Sequence, residues 1–198
     1  FSLFNLFTQL GTKKVIIIDK SDLLFKKMNE ISHLIIPGVG SYPAAMQSIN
    51  NFNWKETIIN YKETKKPILG ICLGMQLFFD TSEENNTITK GLGILKGNVV
   101  KINVNKKYKL PHIGWNNLKM IKNDSILKNL NLDIDFYFLH SYKCVPLNSD
   151  VVVCETNYGE MFPSIVRHEN VIGFQFHPEK SSSIGQKLIE NFLNIESY

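Results

Sequence analysis

Arginine is almost missing from this chain: Arg167 stands alone, and lysine carries nearly all the remaining positive charge. The formal charge of +4 would otherwise invite a nucleic-acid reading. Recognition of phosphates and base edges favours the planar, forked guanidinium over a point-charge ammonium. The lysines are interspersed with glutamates in a pattern that suits solvated helix faces, and no aromatic–basic platform is present. Nucleic acid is therefore not expected as a partner. Cysteine is scarce too. Cys72, Cys144 and Cys154 are odd in number and follow neither disulfide nor metal spacing, which excludes a disulfide scaffold and points to a reducing cytoplasm. No His/Cys/Asp cluster has metal-ligand spacing, so neither metal nor cofactor is expected. Long apolar runs are lacking, as is a secretory signal pattern, which argues against a membrane location. There are no repeats, low-complexity tracts or linkers. What remains is 198 residues, 43% hydrophobic and 20% charged, enough for one domain (1–198) with a sizeable core.

Strand and helix signals alternate through the first half. Phe1, Phe4, Phe7 and Leu10 recur at helical spacing, with Gly11 placed to end the helix. The apolar run at 15–18 predicts a buried strand, 21–30 a helix that Ser21 or Asp22 can cap, and 33–36 the next strand. Helices are expected at 43–51 and 54–64. This order predicts an α/β fold: a doubly wound, mostly parallel sheet flanked by helices. After Asn86 the texture changes, and strands at 92–104, 108–113, 136–139, 151–153 and 164–166 predict an antiparallel section in the second half. Overlapping the end of the second of these, Pro111-His112-Ile113-Gly114-Trp115-Asn116 forms a rigid segment that, on spacing alone, reads as a loop tacked to the core by its Trp.

The chain is organised around Pro67-Ile68-Leu69-Gly70-Ile71-Cys72-Leu73-Gly74-Met75-Gln76. An apolar strand stops at a cysteine set between two glycines, and an apolar helix running to Phe79 is expected to start at once. That is the pattern of a nucleophile elbow, whose tight strand-to-helix corner leaves no room for a Cβ two residues to either side. At a helix N-terminus, free N–H groups and the macrodipole favour a thiolate, and the Leu73 N–H points where an oxyanion would form. A buried structural cysteine is the plainer alternative. Pro37-Gly38-Val39-Gly40 also ends a strand, and ligands of such sheets bind beyond the carboxyl ends of strands. By itself it is an ordinary turn; beside a thiolate, its backbone offers a second oxyanion donor.

Near the C-terminus, residues 171–176 read as a strand running into His177-Pro178-Glu179. Strand alternation would put His177 and Glu179 on one side, with Pro178 stiffening the pair. A carboxylate held against an imidazole selects its tautomer and stabilises the imidazolium, so His177 is the candidate base for Cys72. A surface His–Glu pair in a loop is the alternative. Of the other histidines, His33 and His168 look structural, His112 sits in the rigid segment, and position alone leaves His140 open.

Taken together, Gly70-Ile71-Cys72-Leu73-Gly74-Met75-Gln76 and Phe174-Gln175-Phe176-His177-Pro178-Glu179 resemble the class I glutamine amidotransferases. Pro37–Gly40, Pro111–Asn116 and His140-Ser141-Tyr142 are similar to those glutaminase subunits that serve imidazole glycerol phosphate synthase. The resemblance implies a cysteine glutaminase with Cys72 as nucleophile, His177 as base and Glu179 orienting it. It implies an oxyanion site from Leu73 with Val39 or Gly40, and substrate contacts from Gly38, Gln76, Glu84, Ser141 and Tyr142. It also implies a (β/α)₈ cyclase as heterodimer partner, docked through Trp115, Asn116 and Lys180 and fed with ammonia. A paralogous amidotransferase serving another synthase, such as one for surface sugars, and a non-catalytic binding subunit are the alternatives. Members of the subfamily open with a buried strand and a Gly-Asn turn ahead of the helix that begins here at Phe1. That strand's neighbours would be left unpaired without it, so the natural protein is expected to start upstream.

Overall fold

The structure is a computed structural model that describes residues 3–11 and 14–197; Phe1, the first residue of the expected helical repeat, lies outside the described residues. Helices α1 (Leu3–Gln9) and α2 (Ser21–Lys27) precede strand β1 (Leu34–Ile36). Helices α3 (Tyr42–Asn51) and α4 (Trp54–Glu63) lead to β2 (Ile68–Ile71), which runs directly into the single-turn helix α5 (Leu73–Gln76). Strands then dominate: β3 (Phe79–Ser82), β4 (Thr89–Lys90), β5 (Leu95–Lys101), β6 (His112–Asn116), β7 (Lys119–Met120), β8 (Phe136–His140) and β9 (Tyr142–Pro146). Strands β10 (Val152–Asn157), β11 (Met161–His168) and β12 (Val171–Phe174) follow, and α6 (Ser182–Leu193) closes the chain.

The main sheet has the order β1-β2-β12-β11-β10-β7. Pairing is parallel from β1 through β2 to β12, then antiparallel through β11, β10 and β7. Alternation along β2 decides which helices cover which face. Leu69 and Ile71 share a core with Leu6 and Phe7 of α1 and with Leu188, Ile189 and Phe192 of α6. Ile68 faces the other way, into a core built with Leu24 of α2, Met46 of α3, and Ile58 and Tyr61 of α4. All four β2 residues are buried, as a strand sandwiched between helix layers requires. A four-stranded sheet, β4-β3-β5-β9, and the β6–β8 pair complete the second half.

Three expectations are corrected. Residues 15–18 are not a strand: they lie outside every sheet, with Ile16 40% and Ile17 76% exposed. A strand is stable only where a neighbour completes its ladder; among the described residues this segment has none, and β1 pairs on one edge only, with β2. The helix after Cys72 ends at Gln76 instead of reaching Phe79, because Phe79 pairs with Leu95 in the four-stranded sheet. Cross-strand pairing of a buried aromatic there outweighs one more helical turn. The strand expected at 108–113 begins at His112 and runs through Asn116, so the rigid segment is a strand in a two-stranded ribbon and not a loop.

Candidate active site

The elbow is as tight as the two glycines require. A Cβ on Gly74 would lie 1.9 Å from the Ile36 carbonyl oxygen, and one on Gly70 would lie 2.5 Å from the Phe78 ring. Cys72 itself adopts φ 53°, ψ −110°, a backbone conformation that L-residues rarely hold outside functional corners. Its N–H donates to the Phe174 carbonyl at 2.7 Å, which ties the corner to the end of the adjacent parallel strand β12. Three residues further along that strand's exit comes His177. The two side chains are therefore brought together by the β2–β12 pairing, although 105 positions separate them in the chain.

His177 and Glu179 meet through a 3₁₀ turn, Pro178–Lys180, and not through the strand alternation the sequence suggested. His177 Nδ1 lies 2.9 Å from Glu179 Oε1, and both side chains are at least nine-tenths buried. Burial pulls the His177 pKa down, yet hydrogen bonds and charge from Cys72 and Glu179 outweigh it and push the imidazole up to about 9. The ring thus lies between the Cys72 side chain, which raises its pKa, and the carboxylate hydrogen-bonded to Nδ1. The second carboxylate oxygen, Glu179 Oε2, is buried with no hydrogen-bond partner among the described residues. An orphaned buried acceptor beside a titrating ring is costly, and such costs concentrate where chemistry is done. This arrangement can pass a proton from thiol to imidazole and hold the resulting ion pair, the prerequisite for nucleophilic attack by sulfur.

Residues 2–195 match the family described as glutamine amidotransferase class-I. The chain belongs to that family. This amidotransferase is 44% identical to the imidazole glycerol phosphate synthase subunit HisH of Methanocaldococcus jannaschii, over 92% of this chain and 88% of that one. It is 43% identical to the chloroplastic imidazole glycerol phosphate synthase hisHF of Arabidopsis thaliana, over 81% of this chain but 27% of the longer plant protein. A crystal structure of a glutamine amidotransferase superposes with a TM-score of 0.70 at 19% identity, covering 96% of this chain and 89% of that one, a likeness of fold.

The amidotransferase places its other candidate residues unevenly around Cys72. Gly38 packs on α5, where an added Cβ would come 2.6 Å from Gly74 N and 2.7 Å from Leu73 Cβ. Val39 is 83% exposed, and Gly40 takes φ +98° with open space around it. At the start of α5 the Leu73 N–H has no intrahelical acceptor, as the first N–H groups of any helix do not. Glu84 Oε2 accepts from the Tyr42 N–H at 2.7 Å, so its carboxylate sits on the N-terminus of α3, directly after the 37–40 loop. Gln76 Nε2 donates to the Tyr142 carbonyl at 2.9 Å and to Gln175 Oε1 at 3.1 Å, leaving its own carbonyl oxygen as the group free to accept. Ser141 and Tyr142 are half-buried beside it.

Trp115 and Lys180 share one surface. Trp115 is 52% exposed and stands edge-on to Tyr137, with ring centroids 5.7 Å apart, while Lys180 Nζ lies 5.2 Å above the same ring. Asn116 differs: its amide donates to the Asn157 carbonyl, which ties β6 to the end of β10. His140 is no rival base. It is buried against His112 and the Tyr142 carbonyl, and burial pushes its pKa down to about 3. Among the described residues no group of His, Cys, Asp and Glu is placed to hold a metal ion. Sequence reasoning missed Tyr137, Gln175 and the His112–His140 pair. The one available signal was Gln175 itself, a polar residue between Phe174 and Phe176 in an otherwise apolar strand.

Proposed function

We propose that this chain is the glutaminase subunit of an imidazole glycerol phosphate synthase, working as one amidotransferase domain in the cytoplasm. The observation that carries the reading is the meeting of Cys72, at the carboxyl end of β2, with the His177–Glu179 pair at the exit of β12. Cys72 Sγ passes its proton to His177 and attacks the side-chain amide carbon of glutamine. The tetrahedral oxyanion is held by the Leu73 N–H and by an N–H from Val39 or Gly40, whose exposed loop has room to turn its peptide. His177 then returns the proton to the leaving nitrogen, so ammonia departs and a γ-glutamyl thioester remains. Water, deprotonated by the same imidazole, hydrolyses the thioester to glutamate and restores the thiol.

Glu84, the Gln76 carbonyl oxygen and the Gly38 backbone hold the substrate's ammonium end, and the Ser141–Tyr142 backbone its carboxylate. The exposed surface around Trp115, Asn116 and Lys180 receives a (β/α)₈ cyclase, which uses the ammonia to make imidazole glycerol phosphate and an aminoimidazole carboxamide ribotide. Ile113, 57% exposed on the same ribbon, extends that surface. The names of the relatives and the greater length of the plant relative support a partnered enzyme. The test is Cys72→Ser with the cyclase present. Glutamine-dependent product formation should vanish while turnover with free ammonium persists; loss of both, or no adduct on Cys72 from a glutamine-like chloroketone, would overturn the reading.

A further inference from the structure

Gln175 is fully buried between two phenylalanines, where an amide is costly unless every polar group is paired. Its Oε1 accepts from Gln76 Nε2, and that donor's other hydrogen goes to the Tyr142 carbonyl. The same carbonyl accepts from His140 Nδ1 at 2.8 Å. Since His140 is neutral, its Nε2 is the acceptor for His112 Nδ1 at 3.3 Å. A chain of bonds thus runs from β6 through β8, β9 and α5 to Gln175 and fixes which way its amide faces. With Oε1 committed, Nε2 has one acceptor among the described residues, the Cys72 sulfur at 3.8 Å.

The sulfur has a second neighbour of opposite character. Its S–H lies 3.6 Å from the Leu139 carbonyl, an acceptor that favours the protonated thiol. An N–H donor favours the thiolate. We propose that Gln175 is the residue that holds the Cys72 sulfur as a thiolate in register with His177, its amide oriented by Gln76. The proposal rests on Cys72 being the nucleophile of the glutaminase reading. An apolar side chain of similar size would fill the core as well, so packing does not account for the amide. Other titratable groups facing the sulfur are His177, with Glu179 behind it, and Cys144 of β9; His140 acts on His177 and not on the sulfur.

The test reads Cys72 directly, by the rate of its alkylation with iodoacetamide against pH, located by peptide mass spectrometry. In Gln175→Glu the acceptor for Gln76 is kept but the donor is lost. The alkylation midpoint should rise by about 1 pH unit or more, making the reaction about tenfold slower at a pH below both midpoints. Gln175→Leu should slow it at least about threefold. Unchanged midpoints in both variants, even with a lower melting temperature, would make Gln175 a packing residue and overturn the proposal. In the wild-type protein the Gln175 side-chain amide resonances must move with the Cys72 titration; resonances that stay still overturn it without any variant. Wild-type protein that shows these shifts yet hydrolyses no glutamine would remove the glutaminase reading, and with it the catalytic sense of the thiolate, while the bond from Gln175 to the sulfur would stand.

Discussion

Replacing Glu179 by Gln tests the site at its electrostatic centre. The carboxamide keeps the size of the side chain and one acceptor but removes the charge held 2.9 Å from His177 Nδ1. His177 sits at about 9 instead of 6.5 despite a burial that works the other way, so Cys72 and Glu179 together supply at least about 2.5 pH units, or about 3 kcal/mol. Part of that comes from the hydrogen bond and charge of Glu179, and a charged hydrogen bond is generally worth about 1.5–3 kcal/mol. The imidazole of Glu179→Gln should therefore titrate at least about 1 unit lower, read from its NMR shifts in both proteins. Hydrolysis should suffer more than this energy suggests. A carboxamide can present its N–H₂ to Nδ1 and so place the ring proton on the wrong nitrogen; loss of the orienting carboxylate in a triad costs on the order of 10⁴ in turnover. A fall of about 10²–10⁴-fold in glutamine turnover at neutral pH, with the fold intact by circular dichroism, is the expected result. An unmoved His177 titration, or turnover within threefold of wild type, would refute the reasoning.

Acid should destabilise the fold through the buried histidine pair. Burial holds His112 down to about 4 and His140 to about 3, so the neutral rings contribute stability that is present above their unfolded value of 6.5 and lost as pH falls below it. Each contributes about 2 kcal/mol between about pH 8 and pH 5; His112→Phe, whose ring suits the stack with Tyr158 and Phe138, should reduce that pH slope in urea unfolding by about 2 kcal/mol, and an unchanged slope contradicts the assignment. Gly74→Ala forces a Cβ onto the Ile36 carbonyl and should cost at least about 3 kcal/mol, whereas Gly40→Ala, strained at φ +98° but open, should cost about 1–2; the reverse order would sink the account of the corner. Trp115→Ala should lower cyclase affinity at least about tenfold while costing the fold less than about 1.5 kcal/mol, measured by titration calorimetry and by melting; full affinity would remove Trp115 from the docking face.

Much of this was legible before any coordinates. The Gly70–Gly74 spacing announced a corner that only glycine permits, and the apolar runs marked β2 and β12 as buried strands, because local sterics and hydrophobic patterning act over a few residues. Legibility failed where a partner distant in the chain decides the outcome. The run at 15–18 has strand composition but, among the described residues, no neighbour to pair with, so composition alone misled. Trp115 read as a core anchor on spacing and stands half exposed on a ribbon, because among the described residues its strand pairs with β8 alone. His177 and Glu179 were rightly paired for the wrong reason: a 3₁₀ turn brings them together.

By itself, then, the sequence determined the chemistry at hand: a thiol at a forced corner, an imidazole followed two residues later by a carboxylate, and the alternating elements of an α/β fold. The tertiary structure alone decided that β2 and β12 lie side by side and in parallel, which converts a separation of 105 positions into contact. It alone aimed the Gln175 amide at the sulfur, through a run of hydrogen bonds crossing four elements. The reason is one of range: dihedral limits and side-chain periodicity are written locally, whereas strand order and the pairing of buried polar groups are settled only when the whole core closes.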